Sequence, residues 1–138
     1  MTRGVLVDTG PLVAILSRRD QYHEPCVRVL ATLHPPLFTC WPVLTEAIWL
    51  LRAHPTAIQE LLRSFRTGLL RLLVLDEDSV GWVADFLARY RRVGAQAADA
   101  ALMYLAERES IDTIFTLDRR DFSVYRLRGD RTVRMLPE

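Results

Sequence analysis

The segment Val5-Leu6-Val7-Asp8-Thr9-Gly10-Pro11 decides the fold class, because it joins an apolar strand to a turn and a helix. Three consecutive aliphatic residues favour a strand that is covered on both faces, as in a parallel sheet. Gly10 and Pro11 then interrupt the strand, and a helix can follow over residues 12–16 with Pro11 at its first position. Asp8 therefore stands at the point where the strand ends.

The rest of the chain repeats this alternation of short apolar strands and helices. Further strands are predicted over 37–39, 72–75 and 113–116, with an edge strand over 132–136, and further helices over 22–33, 42–52, 57–65, 78–92 and 97–109. Such alternation predicts an α/β fold with a central, mainly parallel sheet flanked by helices. Since no repeat or linker is visible in 138 residues, we expect residues 1–138 to form a single domain.

The composition is that of a globular protein, since half of the residues are hydrophobic and a quarter are charged. No apolar run approaches the roughly 18 residues of a membrane helix, and no secretory signal is visible. Cys26 and Cys40 form no metal-type pair, which together with these features predicts a cytoplasmic, thiol-reduced protein. All 18 basic residues are Arg; genome base composition can cause this bias, although guanidinium groups also suit phosphate.

Four acids stand at related places in the predicted fold. Asp8 follows the first strand directly, and Asp118 comes two residues after the strand that ends near Thr116. Glu46 and Asp99 lie in the first turns of two predicted helices. Ligands of open α/β sheets gather beyond the carboxyl ends of the strands, where the following helices also begin. We therefore expect these acids, from four separate segments, to meet at one edge of the sheet.

The surroundings of these acids favour a divalent cation. Asp8 follows three apolar residues, and Asp99 has alanine on both sides. Carboxylates that crowd together raise one another's pKa, and a hard cation such as Mg²⁺ or Mn²⁺ relieves this repulsion. Such an ion can activate water and neutralise the charge that grows on a phosphate under attack. Taken singly, each acid also has a structural interpretation as a turn former, a helix cap or a solvated helix residue.

Several neighbours of the acids are weaker candidates for substrate contacts. Thr9 and Thr116 place hydroxyls beside the acids, where they can orient water or carboxylates. Asp121 can join the cluster or lie on a surface turn. Arg119 and Arg120 follow the fourth acid closely and can hold RNA phosphates or bind an acidic partner tail. The three tryptophans, Trp41, Trp49 and Trp82, are predicted to be core or interface residues rather than base-stacking platforms.

Four stretches resemble the successive acidic motifs of PIN-domain nucleases in order and spacing: 5–9, 45–46, 98–102 and 116–122. The small size is most similar to the VapC-type toxins of bacterial toxin–antitoxin modules. The resemblance implies a PIN-like three-layer fold and a Mg²⁺- or Mn²⁺-dependent endoribonuclease. It also implies cleavage of structured RNA such as tRNA or rRNA, which inhibits translation, a homodimer, and a small antitoxin that inserts a peptide into the active-site groove.

The resemblance also implies a role for each acid. Asp8 and Asp99 are expected to be the principal metal ligands, and Asp118 is expected to complete or bridge the metal shell, partly through water. Glu46 is expected to position the metal or the attacking water. Thr116 belongs to the hydroxyl-bearing motif beside them.

Other functions compete with a toxin. Within the same family, a housekeeping RNA-processing nuclease is the main alternative. A haloacid-dehalogenase-like phosphatase requires a second Asp at position 10, which is Gly, and a receiver domain requires a Lys, which the chain lacks. A non-catalytic RNA-binding module is a third class, against which the complete set of acids argues.

Overall fold

A computed structural model describes the backbone of residues 2–138 and the side chains of residues 4–138. Five strands form one sheet: β1 (Thr2–Val7), β2 (Leu37–Thr39), β3 (Leu70–Leu72), β4 (Ile111–Phe115) and β5 (Arg134–Leu136). The strand order is β3-β2-β1-β4-β5, and every neighbouring pair is parallel. The expected mainly parallel sheet is therefore confirmed, and it is parallel throughout.

Helices follow the strands along the described chain: α1 (Thr9–Leu16), α2 (His23–Thr32), α3 (Trp41–Leu50), α4 (Pro55–Arg63), α5 (Ser79–Arg89), α6 (Ala97–Glu109) and α7 (Arg119–Val124), with a 3₁₀ turn at Arg91–Val93. Val5, Leu6 and Val7 are all buried, although successive side chains of a strand point to opposite faces. Both faces of the central strand are therefore covered, which confirms a three-layer α/β fold. None of the helices described has the length and apolar character needed to cross a membrane.

The register of the two central strands brings distant segments together. Val7 of β1 lies opposite Phe115 of β4, and the backbone N–H of Asp8 donates to the carbonyl of Phe115 at 2.9 Å. Because both strands end at the same level, the residues that follow each of them leave the sheet side by side. This pairing explains how Asp8 and Asp118 come together across 110 positions of sequence.

Helix α6 is the buried helix of the fold, and it contacts β1, β4, α3 and α5. Its residues Ala98, Ala100, Ala101 and Ala106 are buried, as are Leu102, Met103 and Leu105. Small side chains allow a helix to lie close to its neighbours without leaving cavities. The Ala-rich run that surrounds Asp99 is thus a packing surface, and it places this acid firmly at the edge of the sheet.

The predicted strand over 72–75 begins two residues and ends three residues too late, since β3 covers Leu70–Leu72. Its partner β2 has only three residues, and they pair with those three. The N–H of Leu73 donates the last bond, to the carbonyl of Thr39 at 2.9 Å. The length of the partner strand, which the apolar run does not reveal, therefore sets the boundary.

Several helix boundaries also differ from the prediction by one to three residues. α1 begins at Thr9 rather than at residue 12, because Asp8 caps it. The helix predicted over 78–92 ends at Arg89, and a 3₁₀ turn leads to Gly94, whose φ of 82° is in the left-handed region that suits glycine. Asp121, which the sequence allowed on a surface turn, lies instead in the short helix α7.

Candidate active site

One cavity of about 440 Å³ opens at the carboxyl edge of the sheet. Its lining includes acids from five places in the sequence, namely Asp8, Glu46, Asp99, Asp118 and Asp121. The four acids predicted to meet therefore do lie around one cavity, and Asp121, which spacing alone left undecided, lies there with them. Their chemical roles stay predictions.

Asp8 is held rigidly at the base of the site. It is 7% exposed and stands at the N-cap of α1, where its Oδ1 accepts a hydrogen bond from the N–H of Thr9 at 2.8 Å. Its Oδ2 accepts a hydrogen bond from the hydroxyl of Thr116 at 2.8 Å. Both oxygens of this carboxylate thus have a donor, which fixes its orientation.

Thr116 connects two of the acids. Its Oγ1 donates to Asp8 and accepts a hydrogen bond from the N–H of Asp118 at 2.9 Å. The residue is fully buried, and its role as a substrate contact stays a prediction. Its side chain orients Asp8 and the turn that carries Asp118, which is the other role open to this hydroxyl.

Asp99 lies in the first turn of α6, and its carboxylate forms a capping box with Gln96. Its Oδ2 accepts hydrogen bonds from the N–H of Gln96 at 3.4 Å and from the hydroxyl of Tyr125 at 2.8 Å. Tyr125 is a contact that the sequence interpretation missed. From the sequence, Tyr125 is expected to be an ordinary core residue, because it lies 26 positions from Asp99 and no local pattern connects the two.

Three of the carboxylates form a close group. Asp99, Asp118 and Asp121 each offer an oxygen atom, and these atoms all lie within 4.8 Å of one another. Asp121 belongs to the first turn of α7, so the fold of the 119–124 segment as a helix brings it back towards Asp118. Asp8 is not a member of this close group within the described residues. Its oxygens accept hydrogen bonds from Thr9 and Thr116.

Among the side chains of residues 4–138, no basic group forms an ion pair with these acids. In the part of the chain whose side chains are described, the ion pairs within 4.0 Å are Arg108–Glu109, Arg126–Asp130 and Arg134–Glu138, all outside the cavity. Burial, followed by the charges of Asp99 and Glu46, raises the pKa of Asp8 to about 6, against the hydrogen bonds from Thr116 and Thr9. Asp118 is more exposed as a residue, but desolvation of its carboxyl and the neighbouring Asp121 and Asp99 raise its pKa to about 6.

These observations fit a hard divalent cation. The donors are carboxylate oxygens from separate rigid elements, which is the ligand chemistry that Mg²⁺ and Mn²⁺ prefer. Several like charges crowd into a partly desolvated space, and a cation would remove the repulsion that raises their pKa values. Asp8, Asp99, Asp118 and Asp121 are the residues placed to hold such an ion directly or through water.

The weaker substrate candidates differ in their positions. Thr9 lines the cavity, and its hydroxyl contacts the carbonyl of Val43 at 3.4 Å. Arg119 and Arg120 are exposed but do not line the cavity, and Arg119 donates to the carbonyl of Pro137. The two Arg side chains therefore remain predictions as phosphate contacts at the margin of the site.

The tryptophans divide between surface and core. Trp41 and Trp49 on α3 are 56% and 62% exposed, so the interpretation of these two as core residues is wrong. The guanidinium of Arg52 lies 4.0 Å from the centre of the Trp49 ring. Trp82 is half-buried and stacks on Phe86 with ring centres 5.4 Å apart. An interface role for the two exposed rings stays a prediction.

The raised pKa values predict an unusual dependence of stability on pH in the metal-free protein. Between about pH 4 and pH 6, Asp8 and Asp118 retain protons in the folded state that the unfolded chain has released. Their contribution to the free energy of unfolding is therefore lost as pH rises through this window. For the partly exposed Asp118 this loss is about 1 kcal/mol after solvent screening. We expect Asp118→Asn to flatten this decline in thermal melts with EDTA; curves of identical shape for both proteins would contradict the assignment.

Solved structures with a similar fold include a toxin and a toxin–antitoxin complex. VapC20 of Mycobacterium tuberculosis, described as a sarcin-ricin loop cleaving toxin, is 19% identical with a TM-score of 0.79, covering 87% of this chain and 94% of that one. A toxin–antitoxin complex from Klebsiella pneumoniae is 16% identical with a TM-score of 0.66, covering 88% and 92%. FitAcB from Neisseria gonorrhoeae is 19% identical with a TM-score of 0.63, covering 86% and 91%. At these identities the likeness shows the fold.

Sequence comparison supplies the family. No curated protein is significantly similar to the chain over its sequence. The family model described as PIN domain, however, matches residues 5–127, which include all five acids of the cavity. This match extends from the first strand to the segment after α7, and it agrees with the parallel five-stranded sheet. The chain therefore belongs to the PIN-domain family.

Proposed function

We propose that this chain is a Mg²⁺- or Mn²⁺-dependent endoribonuclease formed by a single domain over residues 1–138. PIN domains are nucleases. The observation that carries the proposal is the group of Asp99, Asp118 and Asp121, whose oxygens lie within 4.8 Å of one another with no basic partner among the described side chains. Asp8 and Glu46 line the same cavity and complete an acidic site.

Each acid has a role in this proposal. Asp8, Asp99 and Asp118 hold the cation, and Asp121 is placed to join them. When bound, the cation supplies Lewis-acid stabilisation for the negative charge that grows on a phosphodiester under attack by water. Glu46 is half-buried and lines the cavity, but it does not belong to the close group of Asp99, Asp118 and Asp121. Its carboxylate is therefore available to orient the attacking water. Arg119 and Arg120 hold the RNA backbone at the exposed margin.

The biological role that we propose is that of a toxin in a type II toxin–antitoxin module. It cleaves structured RNA such as tRNA or rRNA and so inhibits translation in the cytoplasm. The similar folds of VapC20 and of the Klebsiella pneumoniae complex support this choice over a housekeeping nuclease. A short upstream reading frame that encodes a DNA-binding antitoxin would favour the toxin, and its absence would favour the RNA-processing enzyme.

A small antitoxin is the partner that we propose for the acidic cavity, and the enzyme itself is proposed to be a homodimer. Leu50 lines the cavity and is 52% exposed, so an apolar side chain is open to a partner beside the acids. An inserted peptide would cover Leu50 while an Arg or Lys from it neutralises the acids.

RNA cleavage is the direct test of the proposed activity. Purified, antitoxin-free protein with Mn²⁺ or Mg²⁺ is expected to cut total RNA at discrete sites, and EDTA is expected to abolish the cuts. The reason is that the charged side chains known to line the cavity are all acids, which cannot neutralise phosphate without a cation. Products would be resolved by gel and mapped by sequencing of their 5′ ends.

Asp8→Asn serves as the matched control for contamination, because Asn preserves the size of the side chain. Cleavage that survives this substitution at the wild-type rate would reject the acidic site as its source. An absence both of cleavage with either metal and of measurable Mn²⁺ binding would reject the nuclease proposal.

A further inference from the structure

Tyr125 is the one aromatic residue of the described chain whose hydroxyl reaches an acid of the cavity. It follows α7, is fully buried, and donates a hydrogen bond to Oδ2 of Asp99 at 2.8 Å. A buried phenol requires a partner for its hydroxyl, and a carboxylate is a strong acceptor. The contact therefore links the packing of the aromatic core to a predicted metal ligand.

The ring of Tyr125 cannot move easily. It makes edge-on contacts with Phe86 at 4.9 Å, with Tyr90 at 5.0 Å and with Phe122 at 5.1 Å between ring centres. These partners come from α5, from the residue after α5 and from α7. Because a packed core resists small displacements, the position of the phenol oxygen is set by three separate contacts.

The two oxygens of Asp99 have different surroundings. Oδ2 accepts from both Tyr125 and the backbone of Gln96, whereas no donor in the described chain bonds Oδ1. The short bond from Tyr125, with a longer contact from Gln96 at 3.4 Å, orients the carboxylate. The arrangement therefore leaves the other oxygen free for a cation, in the way that outer hydrogen bonds orient metal-binding carboxylates.

We infer that Tyr125 is a positioning residue that holds Asp99 for divalent cation binding, with Oδ2 engaged by its hydroxyl and Oδ1 left for the cation. This inference rests on the proposed function, since it requires a cation at the acidic cavity. According to this inference, a buried aromatic residue outside the acidic motifs raises the affinity of the site for a divalent cation by orienting Asp99.

The same aromatic cluster offers a matched control in Tyr90. Its ring is almost as buried, at 7% exposed, and packs on Phe86 and Tyr125. Its hydroxyl accepts a hydrogen bond from the backbone N–H of Arg126 at 3.1 Å instead of reaching an acid. Tyr90→Phe and Tyr125→Phe therefore each remove one bonded hydroxyl from one aromatic cluster, but only the second removes a bond to the cavity.

The experiment is a calorimetric titration of Mn²⁺ into metal-free wild type, Tyr125→Phe and Tyr90→Phe, with melting temperatures measured in EDTA. Tyr125→Phe is expected to bind Mn²⁺ about tenfold more weakly, and Tyr90→Phe is expected to bind as the wild type does. For Tyr125→Phe, raising the Mn²⁺ concentration is expected to recover most of the RNA cleavage. If the Tyr125 hydroxyl had a purely structural role, Tyr125→Phe would have a lower melting temperature but would bind Mn²⁺ with the same affinity as Tyr90→Phe.

Wild-type affinity in Tyr125→Phe, or an equal loss in Tyr90→Phe, would overturn the inference while leaving the metal site intact. Absence of Mn²⁺ binding by the wild type would overturn the proposed function and this inference together. If Tyr125→Phe does not fold, a crystal structure of the wild type with Mn²⁺ decides the question. Retention of the Tyr125–Asp99 bond with Oδ1 on the ion supports the inference, and an Oδ2 ligand that has lost Tyr125 overturns it.

Discussion

Asp99→Asn is expected to lower RNA cleavage about a thousand-fold while raising the melting temperature of the metal-free protein. The amide has the size of the carboxylate, but an NH₂ group replaces one oxygen. The close group with Asp118 and Asp121 therefore loses one negative charge. A loss of about 4 kcal/mol in transition-state stabilisation corresponds to this factor, and cation-dependent stabilisation is of that order. The stability gain follows because desolvation and like charges raise the pKa of Asp99 in the folded protein.

Cleavage rates and EDTA melts of the same preparations measure both effects. Asp78→Asn is the matched control, because Asp78 is exposed, lies outside the cavity and makes no side-chain capping bond to α5. It is expected to leave the rate and the melting temperature close to those of the wild type. More than a tenth of the wild-type rate in Asp99→Asn would remove this acid from the proposed metal centre.

The expected loss of cleavage and the expected gain in melting temperature have a common cause in the way this site is built. The acids repel one another at the end of the sheet, and the fold holds them there by helix starts, strand register and buried alanines, without an ion pair from any described side chain. Functional sites commonly carry such a cost in stability, which the surrounding core offsets. Removal of one negative charge is therefore expected to stabilise the metal-free protein and to lower the rate of RNA cleavage.

Much of the fold could be predicted from the local pattern. The run Val5-Leu6-Val7 predicts a buried parallel strand, and the structure places it at the centre of the sheet. The strand order and the limits of β3 could not be predicted, because they depend on a partner strand of only three residues elsewhere in the chain. Apolar periodicity reports burial, but it does not report which strand provides the hydrogen bonds.

The location of the acids could also be predicted from the sequence, since strand ends and helix starts fall at one edge of a parallel sheet. Asp8, Glu46, Asp99 and Asp118 accordingly lie around one cavity. The membership of Asp121 depends on whether 119–124 forms a turn or a helix, which composition alone left open. Side-chain hydrogen bonds such as that of Tyr125 depend on tertiary packing across 26 residues, and no sequence spacing encodes them.

Thr116→Val is expected to produce the largest loss of stability of the substitutions considered, about 3 kcal/mol in the free energy of unfolding. Valine has nearly the same shape but no hydroxyl, so Oδ2 of Asp8 loses its donor and the N–H of Asp118 loses its acceptor. A buried polar group left without a partner costs about 1–3 kcal/mol. For a chain of this size the melting temperature should fall by roughly 10 °C in EDTA. Cleavage should fall about tenfold to a hundredfold, because both acids lose their orientation.

Thr116→Ser is the matched variant that separates the hydroxyl from the volume of the side chain. Serine retains both hydrogen bonds and removes one buried methyl group, which costs about 1 kcal/mol. Its cleavage rate is expected to stay within a few-fold of the wild type, since the bridge between Asp8 and Asp118 remains. If Thr116→Val instead proved as stable and active as Thr116→Ser, the hydroxyl bridge would have no part in ordering the acids. A wide separation between the two variants would show that one buried hydroxyl orients carboxylates from both ends of the chain.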